Sequence, residues 1–293
     1  MGYKSDFLNY FRRPLATPRI DGLLADLIEL FPNSTLLRRV APGPPLYASG
    51  STRSIRRYGI NFEIDVSDYP GWSLFYYSTA DSSRGVLEFA NEADVVLDIG
   101  GNIGQTALML AKKVGEAGKV ISFEPFPNSI SRFEKNLALN PDVANVSLQK
   151  FGLGSKEQDV RMIEEGANNS AGNRIVANDA AVSAQVIEIK VRVLDDFVRD
   201  LAPERIDLIK IDVEGYEMRV LEGAEKTLVK FRPKLFIEVS DQALQNQNSS
   251  ASEVISFLAH LGYRFRDMST SRSITSASQL GSHTDLYCEF TLQ

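Results

Sequence analysis

Asp98 closes the apolar run DVVLDIG and is followed at once by Gly100, Gly101, Asn102 and Gly104. Glu124 closes a second apolar run, KVISFEP, 26 residues after Asp98. Asp212 and Glu214 follow a third, IDLIKIDVEG, and Glu238 ends a fourth, PKLFIEV. Carboxylates at the carboxyl ends of buried strands stand beside the crevice in which open α/β sheets hold ligands. Acids placed there repel phosphate, attract cations and accept hydrogen bonds from hydroxyls.

The glycine loop narrows the ligand. A dinucleotide fingerprint needs glycines at positions one, three and six of the turn, and starting from Gly100 those places hold Gly100, Asn102 and Gln105. No Gly-Lys-Ser/Thr follows, so a phosphate loop is excluded as well. Asp98 would welcome the sulfonium and ammonium of S-adenosylmethionine, and Gly100 and Gly104 would let its methionine part approach the backbone. The blander expectation is that Asp98 caps the next helix. Glu124 can accept from both ribose hydroxyls, a role an NAD site would share. Phe126 can pack on the adenine or on its own helix. Phe151 and Gly152, after the third strand, form the remaining lip.

A parallel strand buried on both faces should be apolar, yet Lys210 and Asp212 interrupt IDLIKID two residues apart and so share a face. Lys210 reads as a partner for a neighbouring acid. If the strands ending in Asp212 and Glu238 are neighbours, the two carboxylates converge, with Glu214 beside them. They could activate an acceptor hydroxyl as general base, or share a divalent metal such as Mg²⁺, and the spacing fits both. Glu217 falls in the first turn of a helix, where an acid complements the helix dipole. Asn168, Asn169 and Ser170, in the long polar stretch 166–181, are the expected substrate contacts. His260 reads as a helix surface position and His283 as a loop residue.

These residues need a sheet to hold them. Strand-length apolar runs alternate with helical patterns from residue 94 onward, which means a parallel sheet covered on both faces. QDVRMI and QVIEIKVRVL are further strands, and YRFRDM with DLYCEFTL reads as an antiparallel hairpin at the sheet edge. Residues 1–55 read as an N-terminal extension, helical and then the linker APGPPLYASGST, and 56–293 as the cofactor-binding domain. YGINFEIDVSDY and GWSLFYY read as a hairpin or two edge strands leading into that domain. The 293 residues carry a formal charge of −6, which argues against nucleic acid as a partner. The single cysteine, Cys288, excludes an internal disulfide and reads as buried packing. With no long apolar run and no leader pattern, the chain is expected in the cytoplasm, without stable membrane insertion. Phe7, Tyr10 and Phe11 beside Arg12 and Arg13 could touch a membrane surface or pack on their own domain.

Taken together, DVVLDIGGNIGQTA, FEPFPNSISRFEKNLALN, VRVLDDF and DLIKIDVEGYEMRVLEGA resemble the FkbM family of S-adenosylmethionine-dependent methyltransferases, over about residues 60–265. The resemblance implies a class I, Rossmann-like methyltransferase fold with a seven-stranded, mostly parallel sheet. It also implies O-methylation of a small-molecule or glycan acceptor: a sugar, glycolipid or polyketide-type metabolite. Gly101 departs from the family, which usually has alanine there. The rivals are an NAD-dependent oxidoreductase or epimerase, a methyltransferase with a nitrogen or carbon acceptor, and a silent binding module.

Overall fold

The computed structural model describes residues 9–77, 83–163, 169–176 and 186–291. The chain divides into two compact units, one of residues 1–81 with 165–171, the other of 82–164 with 172–293.

The first unit holds helices α1 (Pro18–Leu30) and α2 (Thr35–Val40), the hairpin β1 (Thr52–Arg57) and β2 (Ile60–Asp65), and helix α3 (Tyr69–Tyr77). The hairpin turns on Tyr58 and Gly59, both at positive φ, the two-residue turn that suits strand twist. GWSLFYY is helix rather than strand. Of its four buried residues, Gly71, Leu74, Phe75 and Tyr76, the first three recur at helical spacing, and a Cβ at Gly71 would lie 2.4 Å from the Asp65 carbonyl oxygen. In APGPPLYASGST, Ala41 and Tyr47 are buried and the Tyr47 hydroxyl meets that of Tyr76 at 2.8 Å.

The second unit begins with α4 (Ser83–Leu87) and β3 (Val95–Ile99). It continues through α5 (Gln105–Val114), β4 (Lys119–Phe123), α6 (Pro127–Ala138) and β5 (Val146–Gln149). Next come β6 (Gly152–Leu153), β7 (Gln158–Ile163), β8 (Arg174–Val176), β9 (Val186–Arg192), α7 (Leu194–Leu201) and β10 (Leu208–Ile211). Then follow α8 (Glu217–Glu222), α9 (Glu225–Phe231), β11 (Lys234–Val239), α10 (Asp241–Gln245) and α11 (Ala251–His260), and last β12 (Tyr263–Asp267), β13 (Ser273–Ile274) and β14 (Thr284–Phe290).

The main sheet runs β13-β12-β14-β11-β10-β3-β4-β5. Seven strands make the expected mostly parallel sheet, and the two-residue β13 adds an eighth at the edge. β14 runs antiparallel to both β11 and β12, the expected C-terminal edge arrangement. β10 is buried at all four positions and β3 and β4 at four of five, as strands covered on both faces must be. Leu97, Ile121, Ile209 and Leu235 build one continuous core with residues of α8 and α11. β7 and β9, the two further strands expected, join β6 and β8 in a separate four-stranded sheet. The stretch GYEMRVLEGAEKTLVKF divides at Gly223 and Ala224 into α8 and α9, and only glycine fits at 223, where a Cβ would lie 2.1 Å from the Gly154 carbonyl oxygen. Cys288 is buried.

Candidate active site

Register places the acids. Lys210 lies opposite Asp98 across the β10–β3 ladder, β4 flanks β3, and β11 flanks β10. Asp98, Glu124, Asp212 and Glu238 therefore all arrive at the carboxyl ends of four adjacent parallel strands, the crevice end of an open sheet.

The loop after β3 is held by its backbone. Gly100 and Gly101 both donate to the Phe123 carbonyl, and Asp212 N–H donates to that of Ile99. Gly100, Asn102 and Gly104 have φ of 89°, 45° and 85°. Asparagine tolerates this left-handed region, so Asn102 takes the conformation that a fingerprint glycine otherwise supplies. Gly100 and Gly104 serve internal packing as well as ligand approach. A Cβ on Gly100 would lie 1.9 Å from the Asp212 carbonyl oxygen, and one on Gly104 2.2 Å from the Phe133 ring.

Asp98 is fully buried and does not cap α5, whose first turn receives no side-chain cap. Its Oδ2 accepts from the Ser122 hydroxyl at 2.7 Å; Oδ1 has no hydrogen-bond partner and lies 3.7 Å from Lys210 Nζ. Burial raises its pKa against the opposing pull of Lys210 and Ser122. Asn102 Oδ1 is a second buried acceptor with no partner. Glu124 accepts at 2.8 Å from the N–H of Asn102 on one oxygen and of Phe126 on the other, and burial pushes its pKa to about 7. Phe126 is buried among Val160, Met162, Ile189 and Val191. Gly152 is buried in β6 against Val191 and Ile189, and the neighbouring Phe151 ring lies under the Arg192 guanidinium.

Lys210 joins this loop to the second acid group. Its ammonium donates to the Gly100 carbonyl at 2.9 Å and pairs with Asp212 Oδ2 at 3.1 Å. Burial alone would lower its pKa, but Asp212 and Asp98 outweigh burial and hold the pKa above its ordinary value.

Asp212, Glu214 and Glu238 each offer a carboxylate oxygen, all within 4.8 Å of one another. Glu238 faces Asp212, and burial together with the charges of Asp212 and Glu214 pushes its pKa to about 9. A carboxyl with that pKa keeps its proton at neutral pH. Glu214 sits at φ 53°, and burial plus Asp212 push it to about 7. Glu217 stands in the first turn of α8 as expected, and it is buried there. Its Oε1 accepts from Gly215 N–H at 3.0 Å and Val213 N–H at 3.2 Å, which fixes the turn carrying Glu214.

Of the expected substrate contacts, Asn168 lies outside the described residues. Asn169 and Ser170 belong to the first unit, where Ser170 donates from both its N–H and its hydroxyl to Asp68. His260 and His283 are exposed. Sequence reasoning passed over Ser122, although a serine inside the apolar run KVISFEP was the available signal.

Residues 98–265 match the family described as the methyltransferase FkbM domain. A methyltransferase from Sordaria araneosa is 28% identical over 45% of this chain and 60% of its own length. A hexuronic acid methyltransferase from Haloferax volcanii is 30% identical over 50% of this chain and 57% of its own. A 2-O-methyltransferase from Sinorhizobium fredii is 30% identical over 55% of this chain and 70% of its own. The match thus spans little more than half the length of the first two relatives. Because the matched region holds every acid of the crevice and more than half of the sequence, the chain belongs to the FkbM family of methyltransferases.

Proposed function

We propose that this methyltransferase uses S-adenosylmethionine to methylate a hydroxyl on a sugar, glycolipid or polyketide-type metabolite. The observation that carries the reading is the pairing of two buried acceptors that lack a hydrogen-bond donor, Asp98 Oδ1, which has only the Lys210 ammonium at 3.7 Å, and Asn102 Oδ1, with a group of facing carboxylates across Lys210. Buried acceptors without donors are costly, and a cationic, hydroxyl-bearing nucleoside supplies the missing donors. Asp98, Gly100, Asn102 and Gly104 would hold its methionine part, and Glu124, Phe126 and Gly152 its adenosine. Bound there, the sulfonium supplies an electrophilic methyl group.

The chain's own task is to align the acceptor hydroxyl and take its proton. Burial and the facing acids raise the pKa of Glu238 and of Glu214, the latter to about 7, so Glu214 is poised to take the proton with Asp212 and Glu238 beside it. Two relatives support a hydroxyl acceptor, since one is named for a hexuronic acid and the other for 2-O-methylation. Calorimetry with S-adenosylhomocysteine and with NAD tests the cofactor, and binding of NAD alone would overturn the reading. Labelled methyl transfer to a uronic acid and to its hydroxyl-blocked form tests the acceptor atom, since label entering the blocked form means nitrogen or carbon.

The three facing carboxylates also support a second reading, Mg²⁺ held by Asp212 and Glu238 with Glu214 beside them. The Lys210 ammonium, 3.1 Å from Asp212 Oδ2, already neutralises part of that charge, which favours the general base. Loss of activity in chelator, restored by Mg²⁺, would reverse the preference.

A further inference from the structure

Helix α1 is apolar over more of its circumference than its own unit covers. Leu24, Ala25 and Ile28 are buried, but Ile20, Leu23 and Leu30 form a second stripe that points outward, continued by Phe31 just beyond the helix. The spacing of Ile20, Leu23, Leu27 and Leu30 is three, four, three, so all four share one face of the helix. With Leu36 on α2, these side chains are 43% to 71% exposed except Leu27, which is half-buried.

Charge accompanies the stripe. Residues 9–40, which hold both helices, carry five arginines against three acids, a formal +2 in a chain whose total is −6. Arg13, Arg19, Arg38 and Arg39, on or beside the same helices, are all exposed. Among the described residues no helix is long and apolar enough to cross a membrane, so these features cannot mean a span. Exposed leucine and phenylalanine beside arginine is the pattern of a helix lying in the plane of a bilayer surface, its apolar side chains among the acyl chains and its cations on anionic headgroups.

We propose that helices α1 and α2 dock this protein peripherally on an anionic membrane. The inference is independent of the acceptor and of the chemistry proposed above. It commits to a lipid bilayer because a positively charged apolar face is complementary to a negative interface with an apolar interior.

Vesicle flotation of the full chain tests it, with phosphatidylcholine vesicles against vesicles containing phosphatidylglycerol. The expected result is binding to the anionic vesicles, about tenfold or more above the neutral ones, and falling as salt rises. Leu23→Ser with Phe31→Ser should weaken that binding about tenfold or more, and Arg19→Glu with Arg39→Glu should weaken it likewise, with the unfolding midpoint and S-adenosylhomocysteine affinity unchanged. Absence of binding to anionic vesicles overturns the proposal. So does wild-type binding by either double variant, or a dimer that Leu23→Ser with Phe31→Ser converts to monomer, which would make a second copy the occupant.

Discussion

The two acid groups on either side of Lys210 stabilise buried carboxylates by different means. Around β3 and β4 the donors are built into the fold: the Ser122 hydroxyl serves Asp98, and two backbone N–H groups serve the two oxygens of Glu124. Around β10 and β11 the neighbour of an acid is another acid. Asp212, Glu214 and Glu238 face one another, Lys210 pairs with Asp212, and burial with their mutual repulsion raises the pKa of Glu214 and Glu238. The first group is therefore a fixed cradle. The second is a titrating one, suited to moving a proton to and from a substrate hydroxyl.

Lys210 belongs to both groups, so its loss should have the largest effect. Lys210→Met keeps the length and apolar stem but leaves Asp98 and Asp212 without their shared cation. Removing one partner of a buried ion pair costs roughly 3–5 kcal/mol, and urea unfolding should show a loss of that order. A loss below about 1 kcal/mol, the range of an exposed pair, would mean that the two groups do not depend on a common ammonium.

The comparison then predicts a division of effects. Asp98→Asn should weaken S-adenosylhomocysteine binding about tenfold or more, the loss of one charge-assisted hydrogen bond. Asp212→Asn should leave that affinity within about twofold and lower turnover roughly 10²–10⁴-fold, the range for losing a positioned proton acceptor. Calorimetry and initial rates on the same two variants decide the matter, and exchanged phenotypes would reverse the assignment of cradle and base.

The pH dependence separates the groups more finely. Glu124 and Glu238 both have folded-state pKa values raised above the ordinary carboxylate, to about 7 and about 9. Each therefore contributes relative stability that is fully present below the unfolded value and is lost as pH rises through the folded one. Unfolding free energy without cofactor should fall as pH rises, with Glu124→Gln flattening the part up to about 7 and Glu238→Gln extending the flattening towards about 9. Activity should run the other way. If the second group is the base, kcat/KM rises between about pH 7 and 9, with apparent values belonging to Glu214 and Glu238 together. A rate that falls across that interval would mean that Glu238 acts as a donor instead.

The sequence made the crevice legible because its acids end apolar runs, and run length with alternation fixes both strand and register. That the strands ending in Asp212 and Glu238 are neighbours was a condition the sequence left open, and the sheet order supplies it. Less legible were features that depend on contacts between distant segments. GWSLFYY is aromatic enough to read as strand, and only packing of Gly71 against the β2 backbone decides for helix. Glu217 fits the helix-dipole rule, yet it is buried and caps its own turn through Gly215 and Val213. The loop's missing glycine also misleads, since Asn102 reaches positive φ without one. What such cases share is that the deciding atom lies on the backbone, where residue type leaves little trace.

Gly101 provides the smallest and most local test. A Cβ at this position would lie 2.2 Å from Ser122 Oγ and 2.9 Å from the Phe133 ring. Ser122 can yield only by turning away from Asp98, because Phe133 is fully buried and has no room to retreat. Gly101→Ala should therefore cost roughly 1–3 kcal/mol, the range for overfilling a packed site, and weaken S-adenosylhomocysteine binding modestly by freeing Asp98. Adding Ser122→Ala removes the contact with Oγ but not that with Phe133, and should recover part of the stability while leaving the affinity low, since Asp98 still lacks its hydroxyl donor. Recovery of both together would mean that the Ser122–Asp98 hydrogen bond contributes nothing to the cradle. Loss of neither in the single variant would mean that the loop relaxes freely, and with it the distinction between a fixed group and a titrating one.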